Sequence, residues 1–404
     1  MSSAGNNEQR SLPPGWRTAR LKEVCRVVSG STPKSGVSDY WDGEIAWITP
    51  TDLGKLAGTE IHASERRITK AGYESCGTDL VPVGAVVMSS RAPIGHLGVA
   101  RVPLCTNQGC KSFLPSSILD SQFLFWFLKK SVPELQELGS GATFREVSKT
   151  QVEEFEIALP PVNEQKRIGA ILNEQMATVE RARAATEAQL EAARTLPAAY
   201  LRAVFNSPGA QQWPEMPLVE VCKITARQVD PKIREFAELP HISAENIEGG
   251  TCRLLFLRTA AEDGMTSGKY LFEPGDVLYS KLRPYLRKVV VVDFRGVCSA
   301  DMYPIRVNKE LITPQYLAWL LLSDAFTEYA DAESRRARMP KLNRDQLFAW
   351  KAPIPPLREQ QSIAMRLAAA MTVADRTRRI LVERLEEIKK LPGAILRRAF
   401  NGEL

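Results

Sequence analysis

Two long stretches of the chain place apolar residues along one side of a helix and charged residues on the other sides. In residues 354–404, Leu367, Ala374, Leu381 and Ile388 recur every seven residues, and Leu385 lies four residues after Leu381. That spacing predicts a long helix with a narrow apolar seam. Because the other faces carry Arg, Glu and Gln, the seam favours one partner helix over a globular core.

The earlier stretch, residues 159–206, is a second copy of this pattern. "LPPVNEQKRI" begins at Leu159 and "IPPLREQQSI" begins at Ile354; with a constant offset of 195 and no gap, 18 of 48 positions are identical. Duplication explains this similarity. The first copy has a thinner seam, at Leu172, Val179 and Leu190. We expect the two helices to pair as an antiparallel coiled coil; the alternative is that each packs only on its own domain.

The helix starts and ends are marked by proline. Pro-Pro opens each copy, and no further proline interrupts it before Pro197 or Pro392. Residues 162–195 would form a helix of about 50 Å at ~1.5 Å per residue. A rod of that length predicts a rigid spacer.

The regions between the helices also repeat, more faintly. "LKEVC" at Leu21 matches "LVEVC" at Leu218, and "SQFLFWFLKK" at Ser121 matches "PQYLAWLLLS" at Pro314, an apolar helix in both places. Short β-branched runs at 44–49, 85–89 and 288–292 alternate with Gly and Pro turns and predict strands. The predicted class is α+β: mixed α/β domains at 1–158 and 207–353, helices at 159–206 and 354–404, and a pseudo-twofold internal repeat.

Composition narrows the class of protein. A chain of 404 residues with 44% apolar and 25% charged residues is typical of a folded protein with two or more domains. No apolar run approaches the ~20 residues of a membrane span, and the first residues have no signal-peptide core, so we expect a cytoplasmic protein. The seven cysteines are scattered, which indicates buried reduced thiols instead of a disulfide framework or zinc site.

The net charge of +6 is informative only through its distribution. The excess lies in residues 354–404, which hold 10 basic and 6 acidic residues. Both globular regions are close to neutral. Any nucleic-acid contact is therefore expected from local basic loops and not from a basic surface.

Loops rich in basic and small residues occur at matching places in the two copies. "SSRAPIG", "SKLRPYLRK", "TFREVSKTQ" and "SRRARMPKLNR" supply them. Arg can read guanine, Asn or Gln can read adenine, and Ser or Lys can hold phosphate. The candidates for base readout are Arg91, Asn107, Gln108, Arg283 and Arg338. The other DNA-binding candidates are Ser89, Arg145, Lys149, Lys281, Tyr285, Arg287, Lys288, Arg336 and Lys341. For any single one of them, a solvated surface charge is the alternative.

Catalytic motifs are not found in the sequence. No G-x-x-x-x-G-K-[ST], G-x-S-x-G or H-E-x-x-H occurs, and His62, His96 and His241 lie in unrelated local contexts. Asp and Glu residues are numerous enough for a metal-dependent nuclease, but no spacing singles out a pair. We therefore assign no catalytic residue and no metal ligand.

Taken together, these motifs resemble the specificity subunits of type I restriction-modification systems. The resemblance covers nearly the whole chain and is carried by "LPPGWRTARLKEVC", "WITPTDL", the two Pro-Pro-x-x-Glu-Gln helix starts and the closing "LRRAFNGEL". It implies a non-catalytic subunit in which each globular region is a target recognition domain for one half of a split DNA sequence. The paired helices would fix the gap between the halves.

The resemblance also implies partners. These are double-stranded DNA, modification (methyltransferase) subunits in two copies docked on the helices, and a restriction-translocation subunit. S-adenosylmethionine, ATP and Mg would belong to the partner subunits, with no cofactor in this chain and no membrane contact. A helical scaffold protein whose domains no longer read DNA is the alternative function.

Overall fold

The computed structural model describes residues 12–139, 145–225, 227–334 and 340–404. The chain divides into two compact units, the first comprising Met1–Ala185 and Leu385–Leu404 and the second Thr186–Arg384. Each unit therefore combines one globular domain with parts of both long helices. In the described part of the chain, no helix is long and apolar enough to cross a membrane.

The first unit contains short strands and helices ahead of a long helix. Its strands are β1 (Arg17–Arg20), β2 (Cys25–Ser29), β3 (Trp41–Ile48), β4 (Glu60–Ile61), β5 (Arg66–Ile68), β6 (Val86–Ser89), β7 (Leu97–Ala100), β8 (Leu104–Thr106), β9 (Cys110–Pro115) and β10 (Glu156–Leu159). Its helices are α1 (Leu21–Val24), α2 (Pro50–Gly54), α3 (Lys70–Glu74), α4 (Ser121–Lys130), α5 (Val132–Leu138), α6 (Lys149–Glu153) and the start of α7 (Val162–Phe205).

Mixed sheets form the first globular domain. One has the strand order β2-β9-β6-β7-β4 and another the order β5-β3-β8. Most neighbours are antiparallel, whereas β4 pairs parallel with β7 and β3 pairs parallel with β8. Helix α4 covers the larger sheet with fully buried side chains such as Phe123, Leu124 and Leu128. The sequence expectations for β3, β6 and α4 are confirmed.

The second unit repeats this arrangement with different sheets. Its strands are β11 (Glu215–Pro217), β12 (Cys222–Ile224), β13 (Gln228–Val229), β14 (Pro240–Ile242), β15 (Ile247–Glu248), β16 (Arg253–Leu254), β17 (Arg258–Thr259), β18 (Lys269–Phe272), β19 (Val277–Ser280), β20 (Val289–Val291), β21 (Gly296–Cys298), β22 (Met302–Val307) and β23 (Lys351–Pro353). Its helices are α8 (Leu218–Val221), α9 (Arg234–Ala237), α10 (Pro314–Leu320), α11 (Asp324–Ser334), α12 (Arg344–Ala349) and α13 (Leu357–Phe400), which ends in the first unit. The sheet orders are β12-β22-β19-β20 and β13-β18-β21-β14-β17.

The duplication seen in the sequence extends to the strands that precede each long helix. β1 pairs antiparallel with β10 in the first unit, and β11 pairs antiparallel with β23 in the second. The cysteine of each "L-x-E-V-C" segment donates its thiol to a carbonyl four residues earlier, Cys25 to Leu21 at 3.1 Å and Cys222 to Leu218 at 3.2 Å. Burial raises the pKa of both thiols to about 12, as expected for structural cysteines.

The two long helices extend past the prolines that were expected to end them. α7 and α13 each have 44 residues, with Pro197 and Pro392 inside them, so the predicted end at residue 195 is wrong. Proline removes one backbone hydrogen bond from a helix. The turns beyond it are held by packing, since Leu201 and Leu396 are buried in the cores of their units. Tertiary contacts therefore outweigh the local break.

The helix ends pair in opposite directions. In the first unit, Ile168 and Leu172 of α7 lie in the same core as Leu396 of α13. In the second, Leu201 near the end of α7 lies in the same core as Leu367 near the start of α13. The helices thus form an antiparallel coiled coil. The predicted seam positions that are buried are Leu172, Leu190, Leu367, Ala374, Leu381, Leu385 and Ile388, whereas Val179 is half-buried.

A buried glutamine explains the repeated Pro-Pro-x-x-Glu-Gln motif. The Gln165 amide donates to the carbonyls of Ile118 (3.0 Å) and Pro160 (2.8 Å), and its oxygen accepts from the Asp120 amide (2.8 Å).

Gln360 repeats all three bonds in the second unit. Its amide donates to Leu311 and Pro355, and its oxygen accepts from the Thr313 backbone amide, each at 2.8 Å. Both glutamines are fully buried. Each therefore joins the first turn of a long helix to the loop preceding the apolar helix of its domain.

Replacing Gln360 with leucine should destabilise the second unit by about 3 kcal/mol or more, because it leaves two carbonyls and one backbone amide buried without partners at ~1–3 kcal/mol each. Urea unfolding measures the change in the free energy of unfolding. Gln361→Leu, at the exposed neighbouring position, is the control and should leave the midpoint close to that of the original chain. Equal midpoints for the two variants would contradict this role for Gln360.

Candidate nucleic-acid interface

Two separate loops of the first domain meet beside the end of β6. Arg91 lies in the β6–β7 loop and forms a β-bridge with Glu146, which lies just before α6. The bridge is reinforced where the Ser90 carbonyl accepts a hydrogen bond from the Val147 amide at 3.0 Å. The guanidinium of Arg91 lies 3.7 Å from the Glu146 carboxylate. The fold therefore places the "SSRAPIG" loop next to the described part of the "TFREVSKTQ" segment, which begins at Arg145.

A third loop, between β8 and β9, joins this cluster through a glycine. The Gly109 amide donates to the Asn107 side-chain oxygen at 2.9 Å. A Cβ at position 109 would lie 3.2 Å from both that oxygen and Arg91 Nε. Glycine thus allows Arg91 and Asn107 to approach each other, and the structure brings together two residues chosen as base readers.

Sequence reasoning missed the buried lysine under this cluster. Lys111 is 5% exposed and its ammonium lies 3.3 Å from both the Ser90 hydroxyl and the Glu146 carboxylate. The negative charge of Glu146 therefore offsets the positive charges of both Lys111 and Arg91. The available signal was a lysine within the apolar strand "CKSFLP", since a buried charge needs a partner.

The other first-domain candidates occupy different surroundings. Ser89 is buried, donating its hydroxyl to the Pro93 carbonyl (2.6 Å) and accepting from the His96 amide (2.9 Å), so it closes the loop from inside. Gln108 is exposed and hydrogen-bonds Thr32. Arg145 is exposed beside Glu146, while Lys149 on α6 pairs with Glu153 at 3.6 Å.

The second domain builds the same junction with different side chains. Leu282 forms a β-bridge with Lys341, and the Lys281 carbonyl accepts from the Leu342 amide at 2.9 Å. With the offset of 195, Lys341 stands where the first domain has Glu146. A carboxylate in one domain is thus replaced by an ammonium in the other.

This replacement changes the electrostatics of the junction. Lys281 is 8% exposed, donates to the Ala300 carbonyl and lies 5.1 Å from the centre of the Tyr303 ring. Burial lowers the pKa of the Lys281 ammonium, and the positive charges of Lys341 and Arg344 lower it further, against an opposing effect of Asp301. The positive charges of Lys281, Lys341 and Arg344 therefore repel one another at this junction.

Of the remaining candidates in the β19–β20 loop, some are exposed and others are bound to neighbouring parts of the domain. Arg283 and Tyr285 are exposed, and Arg283 has a left-handed backbone, with φ of 50°. Arg287 binds Asp324 at 2.6 Å, and Lys288 donates to the Ile247 carbonyl. Arg336 and Arg338 lie outside the described residues.

Among the residues that the structure describes, no group of three His, Cys, Asp or Glu side chains is arranged to hold a metal ion.

Comparison with known proteins identifies the family. The family described as "Type I restriction modification DNA specificity domain" matches residues 13–192 and again 210–390. These ranges cover most of the chain and coincide with its two repeats. The chain belongs to this family.

Similar proteins of comparable length carry the same description. The chain is 26% identical over 426 residues to the type I restriction enzyme EcoDI specificity subunit of Escherichia coli, covering 97% of this chain and 89% of that protein. It is also 35% identical over 164 residues to the MjaIX specificity subunit of Methanocaldococcus jannaschii, covering 40% of this chain and 38% of that protein.

Solved structures share the fold. A chain from work on complex assembly and conformational transition of the type I R-M system superimposes with a TM-score of 0.71 at 22% identity, covering 98% of this chain and 100% of that one. The HsdS subunit from Thermoanaerobacter tengcongensis gives 0.67 at 22% identity, covering 98% and 99%. Two tandem domains with long coiled-coil helices are therefore the architecture of this family.

Changing Lys341 to glutamate should raise the pKa of Lys281, because it removes one repelling charge and adds an attracting one. A ¹³C NMR titration of reductively methylated lysines measures this pKa, with Lys281→Arg to assign the signal. Lys309→Glu, at an exposed lysine elsewhere in the domain, should leave it unchanged. An unchanged or lowered Lys281 pKa in Lys341→Glu would disprove the electrostatic coupling.

Proposed function

We propose that each globular domain of this chain reads one half of a two-part DNA target, as part of a type I restriction-modification enzyme. The observation that carries the proposal is the junction built twice from matching loops: Arg91 with Glu146, and Leu282 with Lys341. A shared scaffold with different side chains at the same place is what two readers of different sequences require.

Direct readout is assigned to three side chains of these junctions, of which Arg91 and Asn107 are half-buried and Arg283 is exposed. Arg91, Asn107 and Arg283 have the hydrogen-bonding groups that distinguish guanine and adenine edges in the major groove. Lys281 and Lys341 supply positive charge for phosphates in the second domain. In the first domain Glu146 offsets the local positive charge, so we assign that junction to base edges more than to phosphates.

The paired helices act as the spacer between the two readers. Each has 44 residues, or roughly 66 Å at ~1.5 Å per residue. Successive turns of DNA are ~34 Å apart, so readers held on such helices can contact separated blocks on one side of a duplex. The bases between the blocks would go unread.

The exposed face of α13 is assigned to the modification subunits. Met365, Val373 and Ile380 are 68%, 59% and 52% exposed and lie on one side of the helix, at intervals of eight and seven residues. Exposed apolar side chains in such a row favour contact with another helix. We assign two methyltransferase subunits and a restriction-translocation subunit as partners, with S-adenosylmethionine, ATP and Mg, and catalysis itself, in those subunits.

DNA from cells that express this chain with a methyltransferase subunit encoded beside it should carry a methylated motif of two blocks separated by a fixed gap. Methylation-sensitive long-read sequencing detects it, and cells lacking only this chain are the control. A stably assembled complex without any such motif would instead support the scaffold alternative.

Arg91→Ala and Arg283→Ala should each relax base preference in a different half of the motif, with a loss of about 1–3 kcal/mol in discrimination per guanidinium. Methylation rates on duplexes with single base changes measure this loss. Arg234→Ala, at a surface arginine of the second domain that pairs with Glu238, should keep both preferences. Unchanged discrimination in both interface variants would remove these residues from the readout.

A further inference from the structure

A closed ring of charged side chains connects the second domain to helix α13. Glu248 and Arg253 face each other across the hairpin of β15 and β16, and their side chains meet at 2.8 Å. Arg253 continues to Asp375 of α13 at 3.1 Å. Arg378, one turn further along α13, binds Asp375 at 2.7 Å and returns to Glu248 at 3.4 Å.

The ring is sheltered and strongly paired. The side chains of Glu248, Arg253, Asp375 and Arg378 are all between 24% and 36% exposed. Hydrogen bonding from Arg378, together with the charges of Arg253 and Arg379, holds the pKa of Asp375 below its ordinary value. A network of this kind, with low exposure and several bonds per member, fixes geometry better than an isolated surface pair does.

Apolar packing fixes the hairpin on its own domain, since Ile247 is fully buried and Leu254 packs against the same core. A cavity of about 860 Å³ lies in the second unit, lined on different sides by Arg253 and Leu254 of the hairpin and by Met371 and Asp375 of α13. Beside this cavity the hairpin meets the helix through the ion pairs of the ring, and Cys252 of its turn packs against the core that includes Met371. The ring is therefore well placed to determine the angle between the hairpin and the helix.

The residues on either side of Glu248 in the hairpin contact the loop assigned to DNA. The Gly250 amide donates to the Arg287 carbonyl at 2.9 Å, and Lys288 donates to the carbonyl of Ile247. A Cβ at Gly249 would lie 2.5 Å from the Leu286 carbonyl oxygen, so the two backbones are in contact. The hairpin thus contacts both the loop at 281–288 and helix α13, and so connects the two.

Helix α7 is joined to the same loop by a separate ion pair. Asp324, the first residue of α11, binds Arg287 at 2.6 Å and Arg202 of α7 at 3.1 Å. Within the second unit, α7 therefore reaches the 281–288 loop through Asp324, and α13 reaches it through the ring and the hairpin.

The matching carboxylate of the first copy, Glu180, lies in a more exposed position than Asp375. With the offset of 195, Glu180 corresponds to Asp375 and Arg183 to Arg378. Glu180 is bound by Arg183 at 3.0 Å within α7, and its side chain is 61% exposed. The ion pair within the helix is thus present in both copies, but the carboxylate of Glu180 lies at the surface.

From these contacts we propose that Glu248, Arg253, Asp375 and Arg378 form a positioning device that sets the gap length accepted between the two DNA half-sites. The ring holds the hairpin, and the hairpin holds the 281–288 loop at a fixed angle to the spacer helix. These residues do not touch DNA; they act through the loop. The inference rests on the proposed function, since a gap has meaning only if both domains read DNA.

The test uses the chain in complex with its methyltransferase subunits. Substrates are duplexes carrying both half-motifs at the native gap, or at a gap one base pair shorter or longer. Arg253→Gln should lower the ratio of methylation at the native gap to that at the shifted gaps by about fivefold, the scale of one coupled interaction. Base discrimination within each half-motif should stay unchanged, which a general loss of structure would not allow.

Matched variants distinguish positioning from stability. Arg378→Gln opens the ring at another edge and should change the ratio in the same direction, while Arg253→Lys keeps the charge and should restore part of it. Glu180→Gln, the equivalent change in α7, should leave the ratio unaltered. Hydrogen exchange of residues 247–254 should be faster in both ring-opening variants at an unchanged melting temperature of the complex.

A gap preference that survives both Arg253→Gln and Arg378→Gln, or one that Glu180→Gln weakens equally, would overturn the proposal. If either ring-opening variant does not fold, the other decides the result. If the unmodified complex methylates no two-part motif, the proposed function itself fails, and that outcome is visible before any variant is made.

Discussion

The buried glutamine at the first turn of each long helix is the contact on which the arrangement of this chain depends. Gln165 and Gln360 each satisfy three backbone groups that would otherwise be buried without partners. The glutamine fixes the position at which the helix leaves its domain. Because a helix is stiff along its length, a small change at its first turn would be magnified at its far end. The pairing of the two helices and their length can serve a function only if each helix leaves its domain in a fixed direction.

On this duplicated scaffold, the side chains at one junction give the two domains different electrostatic character. The first domain balances a buried lysine with Glu146, whereas the second has Lys341 at the matching position and accumulates positive charge around Lys281. The backbone pairing at the junction is the same in both domains. Recognition can therefore diverge through a few side chains while the framework that presents them is kept.

The two domains differ also in how they are held. The second meets helix α13 through a ring of four charged residues beside a large cavity, whereas the matching carboxylate in α7, Glu180, stays at the surface. The charged side chains of the ring are joined by hydrogen bonds, which are directional and constrain an angle, whereas apolar contacts are non-directional. In a family whose members carry DNA specificity domains, the angle between a domain and its helix would determine which base pairs of the DNA double helix that domain can contact. This gives charged residues far from the reading loops a part in specificity.

Identities at a constant offset of 195 revealed the duplication from the sequence alone. Local patterns in the sequence determined the long seamed helices, the bounds of α4 and the strands that became β3, β6 and β20. Such features depend on neighbours a few residues apart. The sequence also selected Arg91 and Asn107, which the fold brings together. It did not reveal that Pro197 lies within a helix, that Lys111 lies under Arg91, or that Ser89 and Arg287 are occupied by internal contacts. Only the tertiary structure decided these points, because each depends on packing or pairing between elements, and no local pattern records which distant residue will supply the partner.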